Sequence, residues 1–219
     1  MHVGFIMDGN RRWAKKGGFL PYLGHNMGGE TLEKILEVCP KYEIDIVTIY
    51  ALSTENLVNR SAIELKALME LLKSMALTKK DKLAKGGIKV KIVGDISPFP
   101  ESTKNALLEL VETTKDGQNS ILQICLNYGG KQEILDAVKK TIAAGLELNQ
   151  ENVTKNLGAD GEPELIIRTG GAQRISNFLL WQGAYSEYFF SDKLWPEFGE
   201  TELIEALDFY KQQVRNFGK

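Results

Sequence analysis

Cysteine is rare in this sequence, whose 219 residues include only Cys39 and Cys125. Cys39 falls inside a helical pattern and Cys125 inside a short aliphatic run, so both are expected to be buried thiols in a reducing compartment. Two isolated cysteines do not have the spacing of a disulfide framework or of a thiolate metal site. The chain is long enough for one sizeable hydrophobic core, and we expect residues 1–219 to form a single domain.

Long hydrophobic runs and an excess of charge are also lacking. No apolar run approaches the roughly 20 residues that span a bilayer, and the first apolar run begins at Val3 without a signal-peptide pattern. We therefore expect a cytoplasmic protein, able to make peripheral contact with a membrane surface. The net charge is −2, which provides no overall field for holding a polynucleotide, so no nucleic-acid partner is expected.

Arginine is scarce too, but its placement is uneven. Five of the six arginines follow short apolar runs, whereas lysines are scattered along the whole chain. Guanidinium presents a planar fork of donors that binds phosphate or carboxylate bidentately, while lysine is a solvated point charge. The distribution predicts a site for a polyanionic ligand, built from Arg11, Arg12, Arg60, Arg168 and Arg174.

The alternation of apolar runs and helical patterns predicts an α/β fold. Short runs rich in Ile and Val occupy residues 3–7, 44–52, 88–93, 121–126 and 165–167, and they are typical of buried parallel strands. Helical periodicity covers residues 25–41, 61–85, 101–115, 131–144, 150–156 and 201–217. We expect a central, mainly parallel sheet flanked by helices, with ligands bound at the carboxyl ends of the strands.

The cluster after the first run contains residues suited to phosphate and metal. Gly9 allows the backbone to approach a ligand closely, and the amide groups that follow can meet phosphate oxygens. Asp8 can hold Mg²⁺, which proteins usually bind through one or two carboxylates plus phosphate oxygens, and Arg12 can bind the remaining charge. The local pattern leaves a second interpretation open, in which Asp8 only caps the next element.

Two further clusters carry groups for substrate contact and proton transfer. Ser53-Thr54-Glu55-Asn56 ends the second run, with Arg60 a turn further on, and its side chains are able to order a substrate or pass a proton. An N-cap for the helix that begins near Ser61 is the alternative for part of this cluster. Arg168-Thr169-Gly170-Gly171 leads to Arg174 and Ser176, a pattern suited to wrapping a diphosphate.

Two isolated titratable residues have more than one interpretation. Glu187 lies in the most aromatic stretch, residues 175–190, where a metal role and a salt-bridged interface carboxylate both stay open. The aromatic side chains themselves predict a core or a subunit interface, and hence a dimer. His25 opens a helical pattern, where a lone histidine is more commonly a cap or a packed ring than a catalyst.

The motifs, taken in order, match those of a known family. The blocks are Met7-Asp8-Gly9-Asn10-Arg11-Arg12-Trp13-Ala14, Gly24-His25, Tyr50-Ala51-Leu52-Ser53-Thr54-Glu55-Asn56, Asn127-Tyr128-Gly129-Gly130, Arg168-Thr169-Gly170-Gly171, Arg174-Ile175-Ser176-Asn177-Phe178, Ala184-Tyr185-Ser186-Glu187 and Leu194-Trp195-Pro196. Across residues 2–218 the chain resembles the cis-prenyltransferases of the undecaprenyl diphosphate synthase type. That resemblance implies a homodimer built on a central, mainly parallel sheet.

The resemblance also implies an activity. It is the Mg²⁺-dependent, sequential cis condensation of isopentenyl diphosphate with an allylic diphosphate such as farnesyl diphosphate. The implied product is undecaprenyl diphosphate for a cell-wall carrier lipid. A short-chain cis-prenyl diphosphate synthase and a non-catalytic partner subunit of the same fold are the alternatives. A third, a phosphatase using Asp8 as its nucleophile, lacks the second acid usual two residues on, where Asn10 stands.

Roles follow from the resemblance residue by residue. Asp8 would handle Mg²⁺ and the allylic diphosphate, Asn56 occupies the position proposed for proton removal, and Glu187 would contribute to the metal site across the dimer. The implied substrate contacts are Gly9, Asn10, Arg11, Arg12, Trp13, His25, Ser53, Thr54, Glu55, Arg60, Arg168, Arg174, Ile175 and Ser176. The wide apolar set within residues 61–85 would line a channel for the product, or else simply belong to a buried helix.

Three positions depart from the family's pattern. Pro21 stands where a diphosphate-binding arginine is usual, Leu57 replaces a usual tryptophan, and Ala172 replaces a usual glutamate. One extra residue precedes Arg60, so either Asn59 or Arg60 fills the downstream contact position. These departures predict a change in affinity or starter choice rather than in reaction class.

Overall fold

A parallel sheet forms the centre of the protein. The computed structural model describes residues 1–213, and their strands are β1 (His2–Ile6), β2 (Ile46–Ser53), β3 (Ile88–Val93), β4 (Ser120–Tyr128), β5 (Leu165–Arg168) and β6 (Glu187–Phe190). The six strands lie in the order β3-β4-β2-β1-β5-β6, and every pairing is parallel. The predicted α/β fold is confirmed, and five of the strands occupy the predicted apolar runs. Strand β6 was not predicted, because four residues inside an aromatic stretch show no clear period.

Helices separate most of the strands along the chain, and one helix follows the last strand. They are α1 (Asn10–Lys16), α2 (Pro21–Val38), α3 (Thr54–Asn59), α4 (Ala62–Lys85), α5 (Glu101–Thr114), α6 (Gly130–Ala143), α7 (Gln150–Lys155) and α8 (Glu200–Lys211). The short helices α1 and α3 fall on segments predicted only as polar clusters. Helix α8 ends at Lys211, earlier than the predicted 201–217, and residues 214–217 of that prediction lie outside the described residues. None of the helices in residues 1–213 has the length and apolarity needed to cross a bilayer.

Both faces of the sheet are covered by packed side chains. Alternate residues of a strand point to opposite sides, so one strand contributes to both layers. Val3 and Phe5 of β1 belong to the larger core cluster, which also contains buried side chains of α2, α4, α5 and α8. Ile6 belongs to a second cluster on the other side, with Tyr128 and Phe178. Burial on both faces explains why the central strands β1 and β5 are buried along their whole length, whereas the edge strand β3 keeps Lys89 and Lys91.

The two cysteines lie inside this core. Cys39 and Cys125 are both buried and unpaired, as the sequence predicted. Burial raises the pKa of the Cys39 thiol to about 12 and raises that of Cys125 well above its ordinary value. Because the thiolate is the reactive form, neither group is suited to nucleophilic or redox chemistry.

Strand β1 lies at the point where the strand order reverses. The chain moves from β1 to β2 on one side, and later crosses to β5 on the other side. Ile6 of β1 stands level with Arg168 of β5. In open α/β sheets the crevice outside the carboxyl ends of such strands is the usual ligand site. The segments that follow β1 and β5 therefore begin side by side, and they carry the Asp8 and Arg168 motifs.

A buried polar group stands at the opposite end of β1. The His2 ring is almost fully buried, and its Nε2 is hydrogen bonded to Thr48 Oγ1 at 2.7 Å. Thr48 Oγ1 also accepts a hydrogen bond from Gln123 Nε2 at 2.9 Å. Burial, the main cause, lowers the pKa of His2 from 6.5 to about 4, and the N-terminus lowers it further, while Glu164 and Asp160 oppose the shift. His2 is therefore neutral in the folded protein at neutral pH.

The protein should lose stability in mild acid through this histidine. The unfolded chain binds a proton at His2 near pH 6.5 and the folded chain only near pH 4, so the free energy of unfolding should fall as the pH drops between these values. The full loss is about 3 kcal/mol. Urea unfolding between pH 7.5 and 4 measures the slope, and His2→Gln should make it shallower. The pKa of His25 is also lowered to about 4, so His25→Gln should make the slope shallower to a similar extent. An unchanged slope in His2→Gln would contradict the prediction.

Candidate active site

The turn after β1 places Asp8 at the carboxyl edge of the sheet. Gly9 has φ 111° and ψ −8° and precedes the first residue of α1, a left-handed conformation that glycine adopts without strain. A Cβ atom at Gly9 would also lie 2.9 Å from the Cα atom of Leu194. Gly9 is the N-cap of α1, and no side chain supplies a capping hydrogen bond. The interpretation of Asp8 as a helix cap is therefore wrong, and its carboxylate is available for other partners.

Two arginines hold the Asp8 carboxylate. Arg168 Nη2 lies 2.9 Å from Asp8 Oδ2, and Arg12 Nη2 lies 3.2 Å from Asp8 Oδ1. The side chain of Arg168 is only 6% exposed, whereas those of Asp8 and Arg12 are 32% and 53% exposed. The arrangement is a buried cation at the floor and a carboxylate between it and the solvent. Because one negative charge faces two positive ones, the cluster keeps a net positive charge.

Arg168 also organises the chain that follows it. Its Nη1 donates to the carbonyl oxygen of Arg174 at 2.7 Å and to Ser176 Oγ at 2.8 Å. Arg12 Nη1 donates to the carbonyl oxygen of Gly170 at 2.8 Å. The planar fork of guanidinium reaches several acceptors at once, which a lysine ammonium on its flexible stem does not reproduce. The segment that carries Arg174 and Ser176 is thus folded around one buried cation.

These groups line one cleft of about 640 Å³, which we call the arginine cleft. Five arginines and two acids are among its lining residues, which gives the lining a formal charge of +3. The structure brings together thirteen of the residues named from the sequence: Asp8, Gly9, Asn10, Arg11, Arg12, His25, Ser53, Glu55, Asn56, Arg60, Arg168, Arg174 and Ser176. A concave surface with this charge is suited to a polyphosphorylated ligand.

The end of β2 supplies the opposite side of the cleft. Ser53 is the N-cap of α3, and its Oγ accepts a hydrogen bond from the Asn56 backbone at 3.1 Å. The alternative interpretation was a cap for the helix that begins near Ser61; that cap is Ser61 itself, whose side chain accepts a hydrogen bond from the Glu64 backbone, whereas Ser53 caps the short helix α3. Glu55 and Asn56 are exposed in the first turn of α3, and both line the cleft. The cap therefore fixes the turn that carries these two side chains.

His25 lies within α2, rather than at a cap position. Burial lowers its pKa from 6.5 to about 4, and the cations Arg60 and Arg11 lower it further, while Glu64 opposes the shift. Arg11 is paired with Glu64 at 3.3 Å, which connects α1 to the first turn of α4. His25 is thus a neutral ring at pH 7, able to donate or accept a hydrogen bond inside a cationic site.

Four of the named residues lie outside the lining of the cleft: Trp13, Thr54, Ile175 and Glu187. Trp13 stacks on Phe19 with ring centroids 5.7 Å apart. Thr54 Oγ1 donates to Glu55 at 3.1 Å and so acts on the cleft through a lining residue. Glu187 pairs with Leu165 at the amino end of β5, at the other end of the strands from Asp8. Within one chain Glu187 is not brought to the cleft.

Tyr50 and Asn177 line the cleft but were not named as site residues. Tyr50 OH donates to the carbonyl oxygens of Tyr128 at 3.2 Å and Ser176 at 3.3 Å, and its ring stacks on Phe178 at 4.8 Å. Both residues stand inside the motif blocks, so the signal was present. Tyr50 was missed because an aromatic ring within a strand run is normally a core residue.

A second, apolar cavity of about 610 Å³ adjoins the arginine cleft. Met7, Asn10, His25 and Ala51 line both. From there the cavity runs between α2, α4 and the sheet, past Leu36, Leu68, Leu72, Met75 and Leu107, to Asp45 at the amino end of β2. From Ala51 back to Asp45, the rise of a strand gives a length of about 20 Å. Six of the apolar residues of α4 therefore line the cavity: Leu68, Leu71, Leu72, Met75, Ala76 and Leu83.

The donor set suits Mg²⁺ that arrives with a phosphorylated ligand. Across the described residues 1–213, no group of three or more His, Cys, Asp or Glu side chains is placed to ligate a metal. Mg²⁺ does not require such a group, since it is usually bound through one or two carboxylates, waters and substrate phosphates. Asp8, partly exposed in the cleft, is the residue that would hold it.

Comparison with known proteins agrees with this geometry. Residues 6–218 match the family model described as "Putative undecaprenyl diphosphate synthase". An isoprenyl transferase of Clostridium perfringens is 41% identical over 99% of this chain and 89% of its own length. A tritrans,polycis-undecaprenyl-diphosphate synthase (geranylgeranyl-diphosphate specific) of Thermoplasma volcanium is 41% identical over 100% of this chain and 88% of its own. The crystal structure of lavandulyl diphosphate synthase from Lavandula x intermedia, in complex with dimethylallyl diphosphate, superposes with a TM-score of 0.93 at 31% identity, covering 100% of this chain and 98% of that one.

Fold and site together define an α/β enzyme with a cationic cleft that opens into an apolar cavity. Full-length identity of about 40% to isoprenyl transferases goes well beyond a shared fold. The chain belongs to the undecaprenyl diphosphate synthase family of cis-prenyltransferases, and it is a transferase of prenyl groups.

Arg168 should matter for both anion binding and stability, whereas Arg174 should matter for binding alone. Arg168→Lys loses hydrogen bonds to Asp8, Arg174 and Ser176, so we expect a lower unfolding temperature and about tenfold weaker binding of inorganic diphosphate, or ~1.4 kcal/mol. Arg174 is exposed, and Arg174→Lys should weaken binding less and leave the unfolding temperature unchanged. Calorimetric titration and thermal unfolding measure both. Equal behaviour of the two variants would contradict the role given to Arg168.

Proposed function

We propose that this protein condenses isopentenyl diphosphate with an allylic diphosphate, in successive cis steps, to a polyprenyl diphosphate. The observation that supports it most directly is the contact between the arginine cleft and the apolar cavity at Met7, Asn10, His25 and Ala51. A prenyl diphosphate has one highly charged end and one apolar end. The two adjoining spaces, of about 640 and 610 Å³, match those two ends in chemistry.

The charge of the cleft suits the chemistry of an allylic leaving group. Breaking the allylic carbon–oxygen bond releases diphosphate with developing negative charge, which preorganised arginines stabilise without reorganising. Arg168 is held in place by three hydrogen bonds and is prepared for this role before substrate binds. Bound Mg²⁺ would add Lewis-acid stabilisation of the same oxygens. Arg12 and Asp8 would orient the allylic headgroup, and Arg174 and Ser176 the isopentenyl headgroup.

Forming the new carbon–carbon bond also requires a proton to leave the isopentenyl unit. Asn56 is exposed in the cleft on the first turn of α3, in reach of a ligand held by the arginines that line the same space. A neutral amide is a poor base. We propose that Asn56 orients a diphosphate oxygen or a water as the acceptor, with the Ser53 cap holding the turn in place.

Starter and product length form the finer part of the proposal. Undecaprenyl diphosphate as product is supported by the family model's description, whereas farnesyl diphosphate as starter rests on the family resemblance of the motifs alone. The Thermoplasma relative is described as geranylgeranyl-diphosphate specific, and the Lavandula structure is a lavandulyl diphosphate synthase. The similarity to the Lavandula synthase supports a short-chain synthase as the second candidate. Pro21, the first residue of α2, supplies no cation where the family usually has arginine, which favours an altered starter affinity.

A phosphatase that uses Asp8 as nucleophile is less well supported. Both oxygens of its carboxylate lie against arginine, at 2.9 and 3.2 Å. Cations stabilise the charge on a carboxylate and so reduce its nucleophilicity, whereas they favour metal and diphosphate binding at the same place. The apolar cavity beside the cleft would also have no use in the hydrolysis of small phosphate esters.

The proposal is tested by giving the purified protein farnesyl diphosphate, labelled isopentenyl diphosphate and Mg²⁺, and sizing the products. Radioactive polyprenyl diphosphates should form, and Asp8→Asn, which matches the native side chain in size, should reduce the rate by more than a hundredfold. Geranylgeranyl and dimethylallyl diphosphates run in parallel decide the starter. A protein that binds diphosphate but forms no product with any starter would be the non-catalytic subunit instead.

Narrowing the apolar cavity should shorten the product. Gly29 of α2 faces Met75 of α4, and a Cβ atom at Gly29 would lie 2.7 Å from Met75 Cε. Gly29→Leu should fill the space between the two helices and stop elongation earlier, with the first condensation largely unaffected. Glu30→Leu, at the exposed neighbouring position, is the matched control. Chromatography of the dephosphorylated products measures length, and an unchanged distribution in Gly29→Leu would exclude this cavity as the product channel.

The homodimer and the metal role of Glu187 also remain proposals. Glu187 stands at the amino end of β6, so it can meet Asp8 only if a second copy supplies it. Asp8→Ala and Glu187→Ala homodimers should both be inactive. Unfolding and refolding them together in equal amounts should restore about a quarter of wild-type activity, because half of the dimers are mixed and each mixed dimer holds one intact site. No recovery, with mixed dimers present, would place Glu187 outside the site.

Contact with a membrane surface is proposed for release of the product. Exposed apolar side chains flank residues of the arginine cleft: Phe19 and Leu20 between α1 and α2, and Val58 and Ile63 on either side of Arg60. Ile63 is 84% exposed, although its helical pattern had predicted burial. Apolar side chains beside a cationic cleft suit a surface of anionic lipid.

A further inference from the structure

Residues 169–186 connect β5 to β6 without a regular helix or strand, and we call them the β5–β6 segment. The segment begins on one side of β1 and crosses to the other. Phe178 lies over Gly4 of β1, since a Cβ atom there would be 3.2 Å from its ring. Ser176, Asn177 and Leu179 have positive φ values of 50°, 64° and 43°. Such values are uncommon outside glycine and persist only where surrounding contacts impose them.

Asn177 supplies many of those contacts. Its carbonyl oxygen accepts a hydrogen bond from Gly130 N at 2.7 Å, and its Oδ1 accepts one from Lys131 N at 2.9 Å. Both donors belong to the first turn of α6, which follows β4. Its Nδ2 donates to Glu55 Oε1 at 3.3 Å, on α3, which follows β2. One asparagine therefore joins the segment after β5 to the segments after β2 and β4.

The link to α3 joins two lining residues of the arginine cleft. Arg174 and Ser176 lie just before Asn177 in the chain, whereas Glu55 lies just before Asn56. The proposed function assigns these pairs to the isopentenyl headgroup and to the proton-transfer turn, and the inference rests on that assignment. The three segments meet closely, because a Cβ atom at Gly129 would lie 2.6 Å from Asn177 Nδ2 and 3.2 Å from Thr54 Oγ1. Reaction between two bound substrates depends on such a separation being held constant.

We propose that Asn177 is a positioning residue, whose hydrogen bond to Glu55 sets the distance between the Arg174–Ser176 half of the cleft and the α3 half. Asn177 does not touch the reacting atoms in this role. It keeps the two halves in register, so that a bound isopentenyl unit faces the allylic carbon and the Asn56 turn together. Loss of the bond should slow condensation while leaving the binding of each substrate by itself largely intact.

The two hydrogen bonds of the Asn177 side chain can be separated by substitution. Asn177→Asp tolerates the left-handed backbone and keeps an oxygen for Lys131 N, but it places a second carboxylate against Glu55. Asn177→Gly keeps the backbone conformation and removes both side-chain bonds. Glu55→Gln keeps an acceptor and adds a donor, so that in Asn177→Asp/Glu55→Gln the hydrogen bond can form again with donor and acceptor exchanged.

The measurements are the single-turnover rate of the first condensation, the affinity for the allylic diphosphate alone, and the unfolding temperature. Asn177→Asp should slow the first condensation about tenfold, with the unfolding temperature close to wild type; starter affinity should fall by much less than the rate, because the added carboxylate removes only one unit of the positive lining charge. Relative to Glu55→Gln, the double variant should show little slowing. Asn177→Gly should be slow and also less stable, because the bond to α6 is lost. A purely structural role predicts instead that rate follows unfolding temperature across the whole set.

Three results would overturn the inference. They are a fully active Asn177→Asp, a double variant that remains tenfold slower than Glu55→Gln, and a starter affinity that falls in proportion to the rate. An inactive wild-type protein would overturn the proposed function, and this inference with it. An active wild type with a fully active Asn177→Asp overturns the inference alone, so the two failures are distinguishable.

Discussion

The buried guanidinium of Arg168 is the interaction on which the rest of the site depends. It lies at the carboxyl end of β5, next to the end of β1, and bonds to Asp8, to the Arg174 backbone and to Ser176. A buried charge is tolerated when partners surround it, and removal of one partner commonly costs 3–5 kcal/mol. The protein therefore keeps a desolvated cation ready at the point where the strand order reverses. Asp8, Arg174 and Ser176 take their positions from it.

Around this cation the site divides into a charged part and an apolar part. The arginine cleft carries a formal lining charge of +3, from five arginines and two acids, while the adjoining cavity is lined largely by side chains of α2, α4 and the sheet. His25 stands at the boundary and is neutral, because burial and the nearby Arg60 and Arg11 lower its pKa to about 4. A neutral ring there keeps the positive charge on the headgroup side. This division explains how a fold of modest size can bind a substrate that has one charged end and one apolar end.

The sequence predicted the layers of this fold better than its short elements. Five strands were visible as runs rich in Ile and Val, most clearly β1 and β5, because burial on both faces leaves little room for polar residues there. Strand β6 and helices α1 and α3 span four, seven and six residues, too few for a period to be recognised. Local patterns also left two roles open. Asp8 faces Arg168 rather than capping the next element, and Ser53 caps the unpredicted helix α3 while it also lines the cleft.

The sequence by itself determined the fold class, the motif order and the family. It also determined the residue types around the cleft, because burial and chemistry restrict which residues can stand at each strand end. Only the tertiary structure decided which of these residues meet. The Asp8–Arg168 bond joins positions 160 residues apart, and the Glu55–Asn177 bond joins positions 122 apart. The tertiary structure also places Glu187 at the opposite end of the strands from Asp8. Such contacts depend on strand order and register, which arise from the packing of the whole sheet and leave no trace in local periodicity.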